Sequence, residues 1–238
     1  MYALFNTIIY TPLYNGLVAL LSFVPNGDVG IALIILTIAV KLALSPLAQK
    51  GSRTQRVMKE IQPQVDAIRK NETDPRKQMA ELQALYKKHE VNPFSMFLLI
   101  LIQIPVLIGL YVVFSHGGLP AIDSAYLYSF VPVPPTVSMM FLGFLDMTVR
   151  SIPLALAVGI SQYFYAGVMP NTEPTGEKGS FSHDFGKSMQ MQIKYVFPFI
   201  IGFVAFSISS GVALYLLVSN LFSIMQELYF KNLRSKIK

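Results

Sequence analysis

The chain has 238 residues, of which 53% are hydrophobic and only 13% are charged. An average soluble domain carries about 25% charged residues, so this chain has too little polar surface to cover a water-soluble globule of its size. Lys and Arg exceed Asp and Glu by 19 to 13, and in so apolar a chain this excess indicates orientation in a membrane rather than binding to nucleic acid.

The N-terminal segment, residues 1–27, is predicted to be an outer interfacial amphipathic helix. Residues 2–24 are uncharged, and Thr7, Thr11 and Asn15 recur every four residues, which places a polar stripe on one helical face. Such a helix suits the membrane interface, although the stretch is long enough to be a sixth span. No basic n-region or cleavage motif is present, so we expect no removable signal peptide.

Five membrane-spanning helices are predicted after this segment. About 20 apolar residues cross a bilayer core of roughly 30 Å, and three stretches meet that requirement plainly. They are 28–49, 93–115 and 151–169. A further stretch, 195–230, carries only the charge of Glu227 and as one helix would be about 54 Å long, which is too long for a single crossing. A break at 207–211 would divide it into a fourth and a fifth span.

The distribution of basic residues favours this division. Segments 50–92, 170–194 and 231–238 carry ten, three and four Lys or Arg, whereas the loop 116–150 carries one. Because cytoplasmic segments collect Lys and Arg, two crossings in 195–230 place all three basic segments in the cytoplasm. The predicted topology crosses the membrane several times, with the N-terminus outside and the C-terminus inside. No transit peptide is seen, which favours a bacterial plasma (inner) membrane over that of an organelle.

Another apolar stretch lies within the predicted extracytoplasmic loop. Residues 131–145 contain three prolines in their first half, followed by about ten apolar-leaning residues, roughly half of what a crossing requires. We therefore do not count this stretch as a span.

The cytoplasmic segment 50–92 is polar but patterned. It contains two apolar stripes at helical spacing. They are Val57, Ile61, Val65 and Ile68, then Met79, Leu82 and Tyr86. Asp74 and Pro75 provide an N-cap and a first helical residue between them, so we expect a two-helix hairpin, with its first helix kinked at Pro63. A solvated spacer is the alternative; the ten basic and six acidic residues suit anionic lipid, ribosomal RNA or a protein partner.

Lys41 is the principal candidate functional residue. It lies about 15 Å along a helix that begins near Gly30, close to the bilayer midplane. A lysine there costs roughly 2.5–3.5 kcal/mol on insertion scales and normally faces a bundle interior or a water-filled cavity. Thr37 and Ser45 lie four residues to either side, so the stripe predicts a hydrophilic groove. Snorkelling to the cytoplasmic interface is the alternative.

The other spans supply further candidates for the lining of this groove. They are Gln103, Gln162, Tyr215 and Ser219, with Ser161, Ser223 and Gln226 nearby in sequence. Such side chains also serve as hydrogen-bonding contacts between helices, so packing is an open alternative for each of them. No acidic residue in the spans is placed to neutralise Lys41 fully.

Signatures of covalent catalysis are missing from the sequence. Cysteine is absent, no nucleotide-binding loop or zinc-binding helix motif occurs, and the three histidines lie in loops predicted on opposite sides of the membrane. We therefore expect no enzyme activity, no catalytic residue, no cofactor and no metal.

Five groups of residues follow one another in a characteristic order over residues 4–235. They are TIAVK at 37–41 with PL at 46–47, IQP at 61–63, ALYKKHEVNP at 84–93, LIQIPV at 101–106, and SGVALY at 210–215 with VSN at 218–220. In this order and at these spacings the chain resembles the YidC/Oxa/Alb family of membrane protein insertases. The family usually has arginine at the position of Lys41; lysine keeps the charge but lacks the planar fork that binds a carboxylate with two hydrogen bonds.

The resemblance implies an all-α polytopic fold with five spans and a groove that opens to the cytoplasm and the lipid. It implies an energy-independent insertase and chaperone, with nascent membrane proteins as substrates. Membrane lipids, the ribosome (through the hairpin and basic tail) and the Sec translocon are the other expected partners, and DNA is not. A small-solute transporter or channel with Lys41 as an anion site is the alternative, and a structural subunit of a larger complex is a third.

Overall fold

The computed structural model describes residues 2–92, 95–115, 118–169, 187–188 and 190–235, and this part of the chain is mostly helical. Its elements are α1 (Tyr2–Phe5), α2 (Thr11–Leu21), α3 (Val29–Glu60), α4 (Gln62–Asn71), α5 (Pro75–Lys88), α6 (Ser95–Ser115), β1 (Met140–Phe141), β2 (Leu145–Asp146), α7 (Ile152–Val168), α8 (Phe197–Ser207) and α9 (Ser210–Ser235). Most of the predicted loop 170–194, including Lys178, and the end of the predicted tail 231–238 lie outside the described residues.

Two of these helices are long and apolar enough to cross a membrane. They are α3 and, within α9, the segment Ser210–Asn232. Three shorter apolar segments occupy the positions of the other predicted spans: Gln103–Ser115, Ile152–Val168 and Gln192–Ser207. The count of five crossings therefore stays a prediction.

Helix α3 extends well beyond the predicted end of the first span. It has 32 residues, about 48 Å at 1.5 Å per residue, and runs through Pro46 to Glu60. The sequence-based boundary between residues 49 and 50 therefore does not coincide with a helix end. As a result, the polar face of α3 continues toward the hairpin for three turns more than the sequence suggests.

The expected position of the kink at Pro63 is wrong. The helix breaks at Ile61 (φ −88°, ψ 0°), and Pro63 occupies the first turn of α4. Proline is tolerated there because the N–H groups of a first helical turn have no intrahelical partner to lose. The break separates α4 from α3, and the chain reverses between α4 and α5 at residues 72–74.

Helices α4 and α5 pack through a small apolar cluster. Its buried members are Ile61, Val65, Leu82, Leu85 and Val91. Asp74 caps α5 by accepting a hydrogen bond from the backbone N–H of Arg76 at 2.9 Å. The predicted stripe is wrong at Met79, which is 58% exposed, because Leu85 supplies the buried face in its place.

The N-terminal helix, which consists of α1, a π-helical turn at Asn6–Tyr10 and α2, is packed into the protein more deeply than its polar stripe suggests. Tyr14, Leu17 and Val18 are completely buried in the main core. Thr7 is exposed, as a water-facing stripe requires, but Asn15 is only 3% exposed. The side chain of Asn15 donates to the carbonyl of Tyr126 and accepts from the N–H of Tyr128, each at 2.7 Å, so it binds the loop 118–150 rather than solvent.

The loop 118–150, which the sequence predicts to lie outside and which is called the outer loop below, closes one end of the bundle. The backbone of Ser138 exchanges hydrogen bonds with Gly27 and Val29 at the start of α3, at 2.9 and 3.0 Å. At the start of α9, the N–H groups of Ser210 and Gly211 donate to the loop at 2.8 and 2.9 Å. Since α7 begins directly after this loop, α3, α7 and α9 all start at the same end of the molecule.

The loop contains a short antiparallel hairpin, a departure from a purely helical prediction. Strands β1 and β2 pair Met140 with Asp146 and Phe141 with Leu145. Leu142 and Gly143 between them have positive φ angles of 51° and 79°, which allows the chain to reverse in three residues.

Candidate functional site: a polar cluster between apolar helices

Lys41 is half-buried where α3, α6 and α9 meet. Its Nζ donates to Oε1 of Gln103 on α6 at 3.4 Å and to Oγ of Ser223 on α9 at 3.3 Å. The ammonium group is thus held between helices by two neutral oxygens rather than extended along its own helix. Burying an ammonium without an acid nearby is costly, which makes this an unusual arrangement for packing alone.

Gln103 connects Lys41 to Tyr215. Its Oε1 accepts from Lys41 while its Nε2 donates to the hydroxyl of Tyr215, so both ends of the amide are used. Tyr215 is 2% exposed, and Ser219, one turn further along α9, is buried beside it. The amide orientation is therefore determined by a cation on one side and a hydroxyl on the other.

One turn beyond Lys41, α3 and α9 are joined again. Oγ of Ser45 accepts a hydrogen bond of 2.7 Å from Nε2 of Gln226. Among the residues predicted to line the groove, the structure thus brings together Lys41, Ser45, Gln103 and Tyr215, with Ser219 adjacent.

Two of the predicted residues do not join this cluster. Thr37 is only 2% exposed and its hydroxyl donates to the carbonyl of Leu33 on its own helix at 2.7 Å, so its donor is used locally. Gln162 is half-buried on α7, and within the described residues no hydrogen bond links it to the cluster. Its neighbour Ser161 instead makes a buried contact with α9, accepting from Asn220 at 3.0 Å.

A second polar layer, which the sequence argument missed, lies further along the same two helices. The carboxylate of Glu227 on α9 accepts from Oγ of Ser52 at 2.8 Å and pairs with the guanidinium of Arg56, both on α3. The side chains of Arg56 and Glu227 are 20% and 13% exposed. Tyr165 on α7 lies beside this carboxylate.

A signal for this layer was present in the sequence. Ser52 and Arg56 continue the stripe of Lys41 and Ser45 at spacings of seven and four residues, and Glu227 follows Ser223 by four. The signal is missed because the predicted boundary at 49 and 50 assigns Ser52 and Arg56 to the hairpin.

The two polar layers, one of Lys41, Gln103 and Ser223 and one of Ser52, Arg56 and Glu227, differ in net charge. The Glu227 layer contains one acid and one base and is internally neutral. The Lys41 layer contains a cation whose partners, among the described residues, are neutral. Among the described residues, the carboxylate of Glu227 pairs with Arg56, whereas the hydrogen-bond partners of Lys41 are the neutral side chains of Gln103 and Ser223.

The Lys41 layer can attract a polar or acidic group. An ammonium has three donors, and Gln103 and Ser223 accept from two of them. In the described part of the chain, no three His, Asp or Glu side chains come together as metal ligands. The groups that do meet at this cluster, an ammonium, an amide and hydroxyls, can form hydrogen bonds and attract charge.

Apolar helices around a polar interior cluster define this chain as a helical membrane protein. The sequence pattern of the family described as 60Kd inner membrane protein matches residues 21–237. The chain belongs to this family, and the YidC/Oxa/Alb relationship predicted from its motifs is confirmed.

Relatives of similar length carry the name membrane protein insertase YidC. The protein from Clostridium tetani is 29% identical over 213 residues, covering 89% of this chain and 86% of the relative. The one from Fusobacterium nucleatum is 30% identical over 226 residues, covering 92% and 96%. Against a longer YidC from Oleidesulfovibrio alaskensis, 31% identical, the chain spans 38% of the relative.

A solved structure, described as an active YidC insertase crystal structure with the first transmembrane domain resolved, is also similar. It has a TM-score of 0.49 and 22% sequence identity, and the match covers 83% of this chain and 40% of that chain.

Proposed function

We propose that this chain is a membrane protein insertase and chaperone of the bacterial inner membrane. It would pass the polar flanks of nascent membrane proteins through a hydrophilic groove and release their apolar helices into the lipid. The observation that carries the proposal is the cation of Lys41, held between α3, α6 and α9 by the neutral side chains of Gln103 and Ser223. The names of the relatives from Clostridium tetani and Fusobacterium nucleatum agree with it.

Such a groove lowers the barrier to moving a polar segment across hydrocarbon. Each unsatisfied backbone group in lipid costs several kcal/mol, and water together with the cluster would offer those groups partners over part of the path. Lys41 would attract carbonyl oxygens and carboxylates, while Gln103 and Ser223 exchange their hydrogen bonds with the passing chain. The apolar helix that follows gains about 25 cal/mol for each Å² removed from water, which supplies the driving force without ATP or covalent catalysis.

The proposed topology has five crossings, with the N-terminus outside and the C-terminus in the cytoplasm. The common starting end of α3, α7 and α9 supports it, since alternate spans of a chain that crosses repeatedly begin on the same side. The basic segment 50–92 then faces the cytoplasm, as Lys and Arg prefer. The outer loop 118–150 would close the groove toward the outside.

The cytoplasmic hairpin of α4 and α5 is proposed to receive the substrate. Arg69, Lys70, Arg76 and Lys77 are all exposed near its turn. This basic end suits anionic lipid headgroups or ribosomal RNA, so the ribosome is a proposed partner and the Sec translocon a further one.

Site-specific photocrosslinking tests the proposal. A photoreactive residue at Gln103 should crosslink to the polar flank of a ribosome-stalled nascent membrane protein. The matched control is the next residue, Ile104, which is 49% exposed on the apolar side of α6 and should crosslink less to that flank. Equal crosslinking at both positions would contradict a groove.

A proteoliposome assay separates the insertase from the transporter or channel. Purified protein should insert a substrate into vesicles without making them permeable to small anions. Anion flux that depends on Lys41, with no insertion, would instead support the channel.

A further inference from the structure

The turn between β1 and β2 exposes large apolar side chains on the outer loop. Leu142 is 58% exposed and Phe144 is 72% exposed. Residues 139–145 contain no polar side chain. This is the second half of the apolar stretch that is too short to cross a bilayer, and the proposed groove makes no use of it.

Contacts with α3 hold this turn at a defined position along the axis of that helix. The backbone N–H of Leu142 donates to Oδ2 of Asp28 at 2.7 Å, while Oδ1 of the same carboxylate accepts from the N–H of Ile31 at 3.1 Å and caps α3. The ring of Phe141 packs directly on Gly30, where even a Cβ atom would overlap it. The turn is therefore held level with the first residues of α3, where the apolar run of this membrane helix begins.

Polar groups lie at the end of the hairpin that is opposite to its turn. Hydrogen bonds from the side chain and N–H of Thr148, at 2.6 and 2.8 Å, lower the pKa of Asp146, so this carboxylate is ionised at neutral pH. Asp146 is paired with Met140 across the strands, on the far side of Phe141 and Leu145 from the turn. The hairpin thus has a charged base and an apolar tip.

We propose that the turn 142–144 inserts Leu142 and Phe144 into the headgroup–acyl boundary of the outer leaflet, with membrane lipid as its partner. Two further apolar side chains are exposed close to the start of α7: Val149 is 53% exposed and Ile152 is 61% exposed, with the exposed Arg150 between them in the sequence. Aromatic and aliphatic side chains are favoured at such a boundary. The clamp from Asp28 keeps the depth of the tip constant relative to α3.

The chain contains no tryptophan, which allows a direct measurement of depth. Phe144→Trp gives a protein whose single tryptophan lies at the tip, and its emission can be excited selectively over that of the tyrosines. The full-length protein would be reconstituted in phosphatidylcholine vesicles that contain lipids brominated either near the headgroup or near the end of the acyl chain. Two matched single-tryptophan controls bracket the depth: Ile160→Trp in the middle of α7, 59% exposed, and Met79→Trp on α5, 58% exposed.

The tryptophan at 144 should be quenched more by the shallow bromines than by the deep ones, which corresponds to a position about 5–10 Å inside the interface. At 160 the order should reverse, and at 79 only aqueous iodide should quench. Leu142→Trp provides a second variant at the tip and should behave like Phe144→Trp.

Two results would overturn the proposal. In the first, both tip variants fold but are quenched by iodide and not by brominated lipid, as expected at 79. In the second, protection from iodide depends on the protein-to-lipid ratio, which would assign the surface to a second copy of the chain. Neither result concerns insertion activity, so this inference can fail independently of the proposed function.

Discussion

Replacing Glu227 by Gln removes the acidic member of the partly buried ion pair with Arg56 while nearly preserving the size of the side chain. The amide oxygen can still accept from Ser52, but Arg56 loses its counter-charge. Exposed ion pairs contribute about 0.2–1 kcal/mol, whereas breaking a fully buried pair costs about 3–5 kcal/mol. With side chains 13% and 20% exposed, this pair lies between those limits, and we expect a loss of about 2 kcal/mol.

The assay is a double-mutant cycle on the free energy of unfolding. Purified variants in detergent would be unfolded by titration with SDS and followed by far-ultraviolet circular dichroism. Arg56→Gln should lower the free energy of unfolding about as much as Glu227→Gln does. The double variant should lose less than the sum of the two single losses by at least about 1 kcal/mol, because the two amides no longer leave a charge unpaired.

The matched control is Arg53→Gln. The contact of Arg53 with Glu90 is 3.8 Å long, and the two side chains are 58% and 82% exposed. It should change stability by less than about 0.5 kcal/mol. Additive losses from Arg56 and Glu227, or losses no larger than the control, would refute the reasoning.

Three further predictions test the groove and the packing around it. Lys41→Glu should impair insertion of substrates with acidic translocated tails more than Lys41→Arg does in proteoliposomes; equal activity of the two variants would remove Lys41 from the mechanism. Gln103→Cys should react with a water-soluble maleimide from the cytoplasmic side, whereas Thr37→Cys, at a site 2% exposed, should react slowly; the reverse order, or labelling from outside, would contradict the proposed groove. Gly211→Ala should cost about 1–3 kcal/mol in the same SDS titration, since its Cβ would overlap the ring of Phe114, while Gly167→Ala, with open space around it, should be neutral or slightly stabilising. Equal effects of the two alanines would contradict the packing at α9.

The polar contacts between α3 and α9 suggest a division of tasks along one helix pair. The neutral layer of Ser52, Arg56 and Glu227 holds the two helices together with charge-assisted hydrogen bonds. The layer of Lys41 has longer contacts, 3.3 and 3.4 Å, and no acid within it among the described residues. Longer bonds to neutral oxygens are more easily exchanged for those of a passing chain. The Glu227 cycle therefore tests stability, and the Lys41 insertion assay tests the proposed transport separately.

Local sequence patterns predict a large part of the fold. Runs of apolar residues predict where the long helices lie. In hydrocarbon no water is available to the backbone, and an α-helix satisfies the hydrogen-bonding groups of the backbone within one segment. Asp74 and Pro75 predict the start of α5, since capping depends on neighbours within one turn. The stripe through Lys41 and Ser45 predicts that both lie on the face of α3 toward other polar groups, since a helix repeats every 3.6 residues.

Helical periodicity does not identify the hydrogen-bond partner of a side chain, least of all a partner that lies far away in the chain. It places Thr37 on the same face as Lys41, but cannot tell that its hydroxyl bonds to Leu33 rather than to the groove. It also places Asn15 on a polar stripe, whereas the outer loop, more than a hundred residues away, buries it. A helix pattern states which residues share a face; what covers that face depends on the packing of the whole chain.

The sequence by itself determined that this is a helical membrane protein with one lysine deep in an apolar helix, and it determined the family. Those conclusions follow from composition, from 3.6-residue periodicity and from short motifs, all of which are local or additive along the chain. The tertiary structure alone decided that Lys41 meets Gln103 and Ser223, that Glu227 is committed to Arg56, and that an apolar turn is clamped to Asp28 at the outer end of α3. These contacts join residues from 62 to 182 positions apart, and such pairings are selected by how the helices pack against one another.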